Sequence, residues 1–199
     1  MDIGTGQLVS AENPRLPVTF GEIGRSPLDK LAEAMGPESV DLILQRHEQG
    51  GRCFAYWLEN QIACYCWVSQ RDEWIGEMEV HFRMQAGERY IWDCLTQTAF
   101  RRQGLYSALL NQIVRQLQLE GITRIWIGSN LENRPSIKGF MRAGFQPVVQ
   151  VLFLRILSLR CFWIRPYPTV PKDFVSAARR AFSSEQALQI NPFIIYPSL

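Results

Sequence analysis

The stretch from Tyr90 to Leu110, YIWDCLTQTAFRRQGLYSALL, constrains this chain more than any other. Tyr90, Ile91, Trp92, Cys94 and Leu95 are aromatic or apolar residues suited to a buried strand. A mostly polar turn follows, Gln97 to Gln103, carrying Arg101 and Arg102. After Gly104 the residues Leu105, Leu109, Leu110, Ile113, Val114 and Leu117 recur at helical spacing. The pattern predicts a strand, a tight basic turn and a helix. The first backbone N–H groups of a helix lack intrahelical partners, and the macrodipole makes that end partly positive. With no Cβ at Gly104, a phosphate can come close to those amides. Arg101 and Arg102 add charge and fork-shaped donors. The stretch is a candidate pyrophosphate seat. An ordinary strand–turn–helix has the same local pattern, so the rest of the chain has to decide.

With 199 residues the chain is long enough for one α/β domain with a full core, and short for two. A hydrophobic content of 47% and a charged content of 20% fit a globular protein. The net charge of +2, without a long Lys/Arg run, leaves no footprint for nucleic acid. Cys53, Cys64, Cys66, Cys94 and Cys161 are odd in number and lie mostly in apolar runs, which reads as free thiols in a reducing compartment. Cys64 and Cys66 share a strand face without a partner motif, and His47 and His81 are too scattered for zinc, so no metal is expected. The opening MDIGTGQLVSAENP lacks an apolar signal core, and no apolar run approaches the span of a bilayer. The expectation is a cytoplasmic protein without a membrane span.

Residues 1–15 read as a loose polar lead. Leu16 to Ile23 reads as a first strand. Ser26 and Pro27 open a helix that Gly36 ends, and Pro37 opens a second that Gly50 and Gly51 close. Cys53–Leu58 and Ile62–Val68 form a hairpin around Glu59, Asn60 and Gln61. Glu77 to Met84 alternates, with Glu77, Glu79, His81 and Arg83 on one face, and reads as a strand. That polar face is either solvated or turned toward a cationic amine. A helix over 106–120, a strand over 123–128 and a helix over 136–143 follow. Residues 146–165 read as two strands turning near Leu157 and Ser158. Beyond Arg165 four prolines frame a helix over 172–188, and the apolar end from Asn191 packs on this domain or on a second copy of the chain.

Two blocks in this order, Arg101-Arg102-Gln103-Gly104-Leu105-Tyr106 and Asn133, Ser136, Gly144 and Phe145, resemble the GNAT superfamily of N-acetyltransferases. The first matches that family's coenzyme-A loop at Arg101 and Gly104, and Tyr106 stands where a small residue is usual. In the second, Phe140 stands where Tyr is usual. The resemblance spans about 18–153 and is silent beyond 166. It implies an α/β (α+β) fold: a mixed, mostly antiparallel sheet with a central splayed parallel strand pair and helices on both faces. Residues 16–165 would be the acyltransferase domain and 166–199 a C-terminal extension.

The resemblance further implies acyl transfer from acetyl-coenzyme A to a primary amine of a small molecule or peptide. Pantetheine would lie along Cys94, Leu95 and Thr96. The diphosphate would sit on the amides of Gln103, Gly104, Leu105, Tyr106 and Ser107, beside Arg101 and Arg102. Asn133 would bind pantetheine or cap the next helix, and Phe140 would pack beside the sulfur. A group must also accept the proton of the amine, whose pKa is near ~10.4. The family's usual base positions hold Tyr90 and Gly128 here, which leaves Asp93, Glu79 and Tyr90, with Glu77 and His81, as candidates. Two other readings stay open: a GNAT module that binds an acyl-coenzyme A without turnover, and transfer of a longer acyl or an aminoacyl group.

Overall fold

The structure, a computed structural model, describes residues 2–6, 14–24, 28–156, 159–183, 188–190 and 193–197. The expected helix start at Ser26 and Pro27 and the turn at Leu157 and Ser158 lie outside the described residues. The element order is β1 (Asp2–Gly6), β2 (Thr19–Ile23), α1 (Leu28–Met35), α2 (Val40–Glu48), β3 (Arg52–Leu58), β4 (Gln61–Ser69), β5 (Glu73–Ile75) and β6 (Val80–Phe82). There follow β7 (Glu88–Thr96), α3 (Leu105–Leu119), β8 (Arg124–Ser129), α4 (Arg134–Arg142), β9 (Phe145–Ile156), β10 (Leu159–Pro166), α5 (Lys172–Ala181), β11 (Leu188–Ile190) and β12 (Phe193–Pro197).

Ten strands form one sheet in the order β11-β12-β10-β9-β1-β8-β7-β4-β3-β2. Among the described residues only β7 and β8 run parallel within it; the other neighbours are antiparallel. Strand alternation sends successive side chains to opposite faces, and each face is covered. Phe54, Cys66, Val68, Ile91, Ile125 and Ile127 pack with α3 and α4 on one face. Cys53, Ala55, Tyr65 and Trp67 pack with Leu31 and Ile43 of α1 and α2 on the other. Farther along that second face, Tyr90 and Trp126 pack with the β5–β6 hairpin and with Ala177, Ala178 and Ala181 of α5. The expected mixed sheet with helices on both faces is the fold observed.

Two expectations need correction. Residues 2–6 are a strand between β8 and β9, pairing Ile3 with Gly128 and Val149, rather than part of a loose lead. The run is short and rich in glycine, so its own side chains carry almost no strand signal; the two neighbouring strands, with unpaired backbone edges facing each other, supply the reason for it to extend. The alternation over 77–84 is likewise not one strand. Ile75 pairs with Val80, so 76–79 must turn back, and Glu79 takes a left-handed φ of 50° to do so.

Candidate active site

Parallel pairing of β7 and β8 runs from Glu88–Arg124 to Ile91–Ile127 and stops, although β7 continues to Thr96 and β8 to Ser129. The closed end of this V is held by a charged pair. Arg124 Nη1 donates to Glu88 Oε1 at 2.6 Å, and Trp126 Nε1 donates to Glu88 Oε2 at 3.3 Å. Glu88 is buried, so both contacts are needed to offset its desolvation.

The open end is shaped by a β-bulge. Trp67 faces Trp92 while Tyr65 faces Leu95, so β7 carries one extra residue between those pairs. The extra residue is accommodated at Asp93, whose φ is 39°. The bulge changes the parity of the strand. Trp92 turns toward the α1/α2 face, whereas Cys94 packs on the α3/α4 face. Asp93 Oδ2 accepts from Arg46 Nη1 at 2.5 Å, and the same guanidinium lies 4.4 Å from the ring centroid of Trp92 and 5.0 Å from that of Trp67. Its charge, its flat face and the carboxylate are thus used together.

On the α3/α4 face lies a cavity of about 670 Å³. Of the residues expected around a coenzyme, Cys94, Leu95, Thr96, Arg101, Arg102, Gly104, Leu105, Tyr106, Ser107 and Asn133 line it. Gln103 lies in the turn, outside the lining. Phe140 is buried beneath, edge-on to Phe145, and does not line the cavity. Lys138 and Arg142 of α4 also line it; on a helix, residues four apart share a face, a signal the sequence already carried. Arg102 and Gly104 are both left-handed, with φ of 64° and 77°. The α3 helix starts at Gly104 without a side-chain cap, so its first amides are open to an anion. Arg101 Nε donates to the Thr96 carbonyl, tying the turn to the end of β7. Asn133 caps α4, its Oδ1 accepting from Ser136 N at 3.3 Å.

Tyr106 fills the space that a small residue would leave. Its ring lies over Gly139, where an added Cβ would come within 2.2 Å of it. Its hydroxyl is 3.2 Å from Ser136 Oγ. Burial, followed by the nearby Cys94 thiol, pushes the phenol well above its ordinary pKa, so it is protonated at neutral pH.

On the opposite face a larger cavity of about 1380 Å³ reaches the same open end. Asp93 lines this one, whereas its neighbour Cys94 lines the other. The three residues expected as bases fare differently here. Asp93 is engaged by Arg46. Tyr90 lines the cavity but is buried, and its phenol is pushed up by that burial, so it stays protonated. Glu79 lies outside the lining and pairs with Arg155 at 3.0 Å, because the turn at 76–79 points it away. Glu73 was missed by sequence reasoning. It lines the cavity, accepts from Ser69 Oγ, and its carboxyl is pushed up chiefly by burial.

Residues 26–145 match the sequence model of the acetyltransferase (GNAT) family. The aminoglycoside N-acetyltransferase AAC(6')-Iy, bound to the bisubstrate analogue CoA-S-monomethyl-acetylneamine, aligns over 70% of this chain and 97% of its own, at 14% identity and a TM-score of 0.55. The ribosomal-protein-alanine N-acetyltransferase of Brucella melitensis biovar Abortus 2308 aligns over 70% and 99%, at 7% identity and a TM-score of 0.53. The aminoglycoside acetyltransferase meta-AAC0020 from an uncultured soil metagenomic sample, bound to sisomicin, aligns over 70% and 95%, at 14% identity and a TM-score of 0.51. At these identities the likeness is one of fold. No curated protein matches the chain in sequence.

Proposed function

Because this chain belongs to the acetyltransferase (GNAT) family, we propose that it transfers an acetyl group from acetyl-coenzyme A to a primary amine of a small molecule or peptide, with 16–165 as the acyl-transfer unit. The observation that carries this reading is a pair of cavities on opposite faces of the sheet, one lined by Asp93 and the other by its neighbour Cys94, at the open end of β7 and β8. The structures of like fold are named for amine-bearing acceptors, an aminoglycoside and a protein alanine, which supports an amine here.

The residues of the smaller cavity suit acetyl-coenzyme A. An uncapped helix start, a left-handed Gly104 with nothing within 4 Å of an added Cβ, and four basic side chains (Arg101, Arg102, Lys138 and Arg142) make a diphosphate seat. The β7 edge from Cys94 to Thr96, which β8 no longer pairs, offers its backbone to pantetheine. Acetyl-coenzyme A supplies the activated thioester. The chain supplies position and proton traffic. Glu73, directly or through a water, takes a proton from the incoming ammonium; the freed amine forms its bond to the acetyl carbon as the carbon–sulfur bond breaks. The second N–H proton, acidified once the nitrogen is bonded to carbon, passes to the departing thiolate through water or through Tyr106, whose hydroxyl gives up one proton as it takes the other.

The test is release of the coenzyme-A thiol from acetyl-coenzyme A, followed with and without a panel of amines. Thiol release that depends on an amine is the expected result. Acetyl-coenzyme A that binds in a calorimeter yet is transferred to none of the amines would replace this reading with a non-catalytic binding module. Competition by longer acyl-coenzymes checks that the group is acetyl.

A further inference from the structure

The larger cavity has an uneven chemistry. Trp74, Leu152 and Trp163 are 48%, 60% and 47% exposed, and all three line it. Single exposed apolar residues are ordinary, but three on one concavity mark a surface that receives something. They come from two parts of the fold. Trp74 stands on β5, its ring held at 4.9 Å from that of His81 on β6. Trp163 and Leu152 face each other across β10 and β9. Glu73 and Glu77 line the same cavity, and neither is in an ion pair among the described residues. Arg46 lines it too but is engaged by Asp93, which leaves Arg165 as the other lining arginine among the described residues.

Carboxylates beside exposed indoles recognise a cation joined to a flat apolar body. The indole face attracts the cation and stacks on the body, and the carboxylates hold the ammonium. Ile75, Met78 and Val151 continue the apolar lining, and Ser129, Asn130 and Gln150 add polar groups to it. Resting on the acetyl-transfer reading above, we propose that the acceptor is an arylalkylamine, stacked on Trp74 and Trp163 with its ammonium toward Glu73 and Glu77. The two tryptophans are then specificity-determining residues with no part in the chemistry.

The experiment pairs turnover with binding. In turnover, tryptamine and 2-phenylethylamine are compared with butylamine and sisomicin as acceptors for acetyl-coenzyme A. The aryl amines are expected to show kcat/KM at least about tenfold above both others. In binding, calorimetry with tryptamine is run on the wild type, Trp74→Ala and Trp163→Ala in the presence of coenzyme A. Each replacement is expected to raise the tryptamine Kd about tenfold while coenzyme-A affinity stays put. Equal or better use of butylamine or sisomicin, or an unchanged tryptamine Kd in both variants, overturns this inference and leaves acetyl transfer standing. Tight tryptamine binding that depends on Trp74, without transfer to any amine, overturns the acetyl-transfer reading and keeps the site.

Discussion

Asp93 adopts a φ of 39°, and this residue decides which side chains of β7 reach which cavity. Glu73 and Gly104 are the other two positions where a single side chain, or its lack, sets the site. Glu73→Gln is expected to lower kcat/KM by ~10²-fold near neutral pH and to leave coenzyme-A affinity unchanged, as a pH–rate profile and calorimetry would check. The same change has a stability consequence of definite sign. The folded pKa of Glu73 is raised by burial, so this group favours the fold below its ordinary value of 4.5 and stops doing so as pH rises through the raised value. Glu73→Gln should therefore raise Tm more at pH 8 than at pH 4. At Gly104 a side chain meets open space, but the backbone is left-handed with φ 77°. Gly104→Val must bear strain of ~1–3 kcal/mol or straighten the turn. Loss of coenzyme-A binding with a native circular dichroism spectrum is the expected outcome.

The elements that matter most are β7, β8, α3 and α4. The V is closed at one end by Glu88 and Arg124 and opened at the other by the end of pairing after Ile91. Removing one member of a buried charged pair leaves the other uncompensated, so Glu88→Ala is expected to cost about 3–5 kcal/mol in urea unfolding. The α3 and α4 helices meet through Tyr106 lying on Gly139. Gly139→Ala would place a Cβ 2.2 Å from that ring, a contact that forces Tyr106 aside. The expected result is a loss of about 1–3 kcal/mol from overpacking, together with weaker coenzyme-A binding, since the displaced ring lines the cavity.

Across the described residues, one ten-stranded sheet carries helices on both faces, and the two cavities lie where its parallel pair comes apart. The far side of the sheet is tied by Arg52, which donates to Glu22 of β2 at 2.6 Å and to Glu120, just past α3, at 2.6 Å. The Arg52 hydrogen bond is the main reason that the Glu120 carboxyl is held below its ordinary value. A lowered carboxyl stabilises the fold above its unfolded value and stops doing so as pH falls through the folded one. Thermal unfolding of Glu120→Gln should thus show a shallower loss of Tm below about pH 4.5 than wild type, with the two curves parallel above it. A steeper acid loss in the variant would assign the tie elsewhere.

The strand–turn–helix from Tyr90 to Leu117, the helix spacing after Gly104 and the basic turn at Arg101 and Arg102 are legible in the order of the amino acids. These are local matters: apolar period, a residue without a Cβ, and charge within a few positions. That order also carried the hairpin of β3 and β4, whose two apolar runs and short loop are written within one segment. The remaining features arise from contacts between segments distant in the chain. The bulge at Asp93 depends on β4 lying alongside, since an extra residue exists only relative to a partner strand. The strand of residues 2–6 depends on two edges distant in sequence. Glu73 gained its place, and Glu79 lost it, through the turn of a hairpin that the alternation of 77–84 concealed. A carboxylate's use in a site depends on what faces it across the fold, and facing is set by packing between segments far apart in the chain.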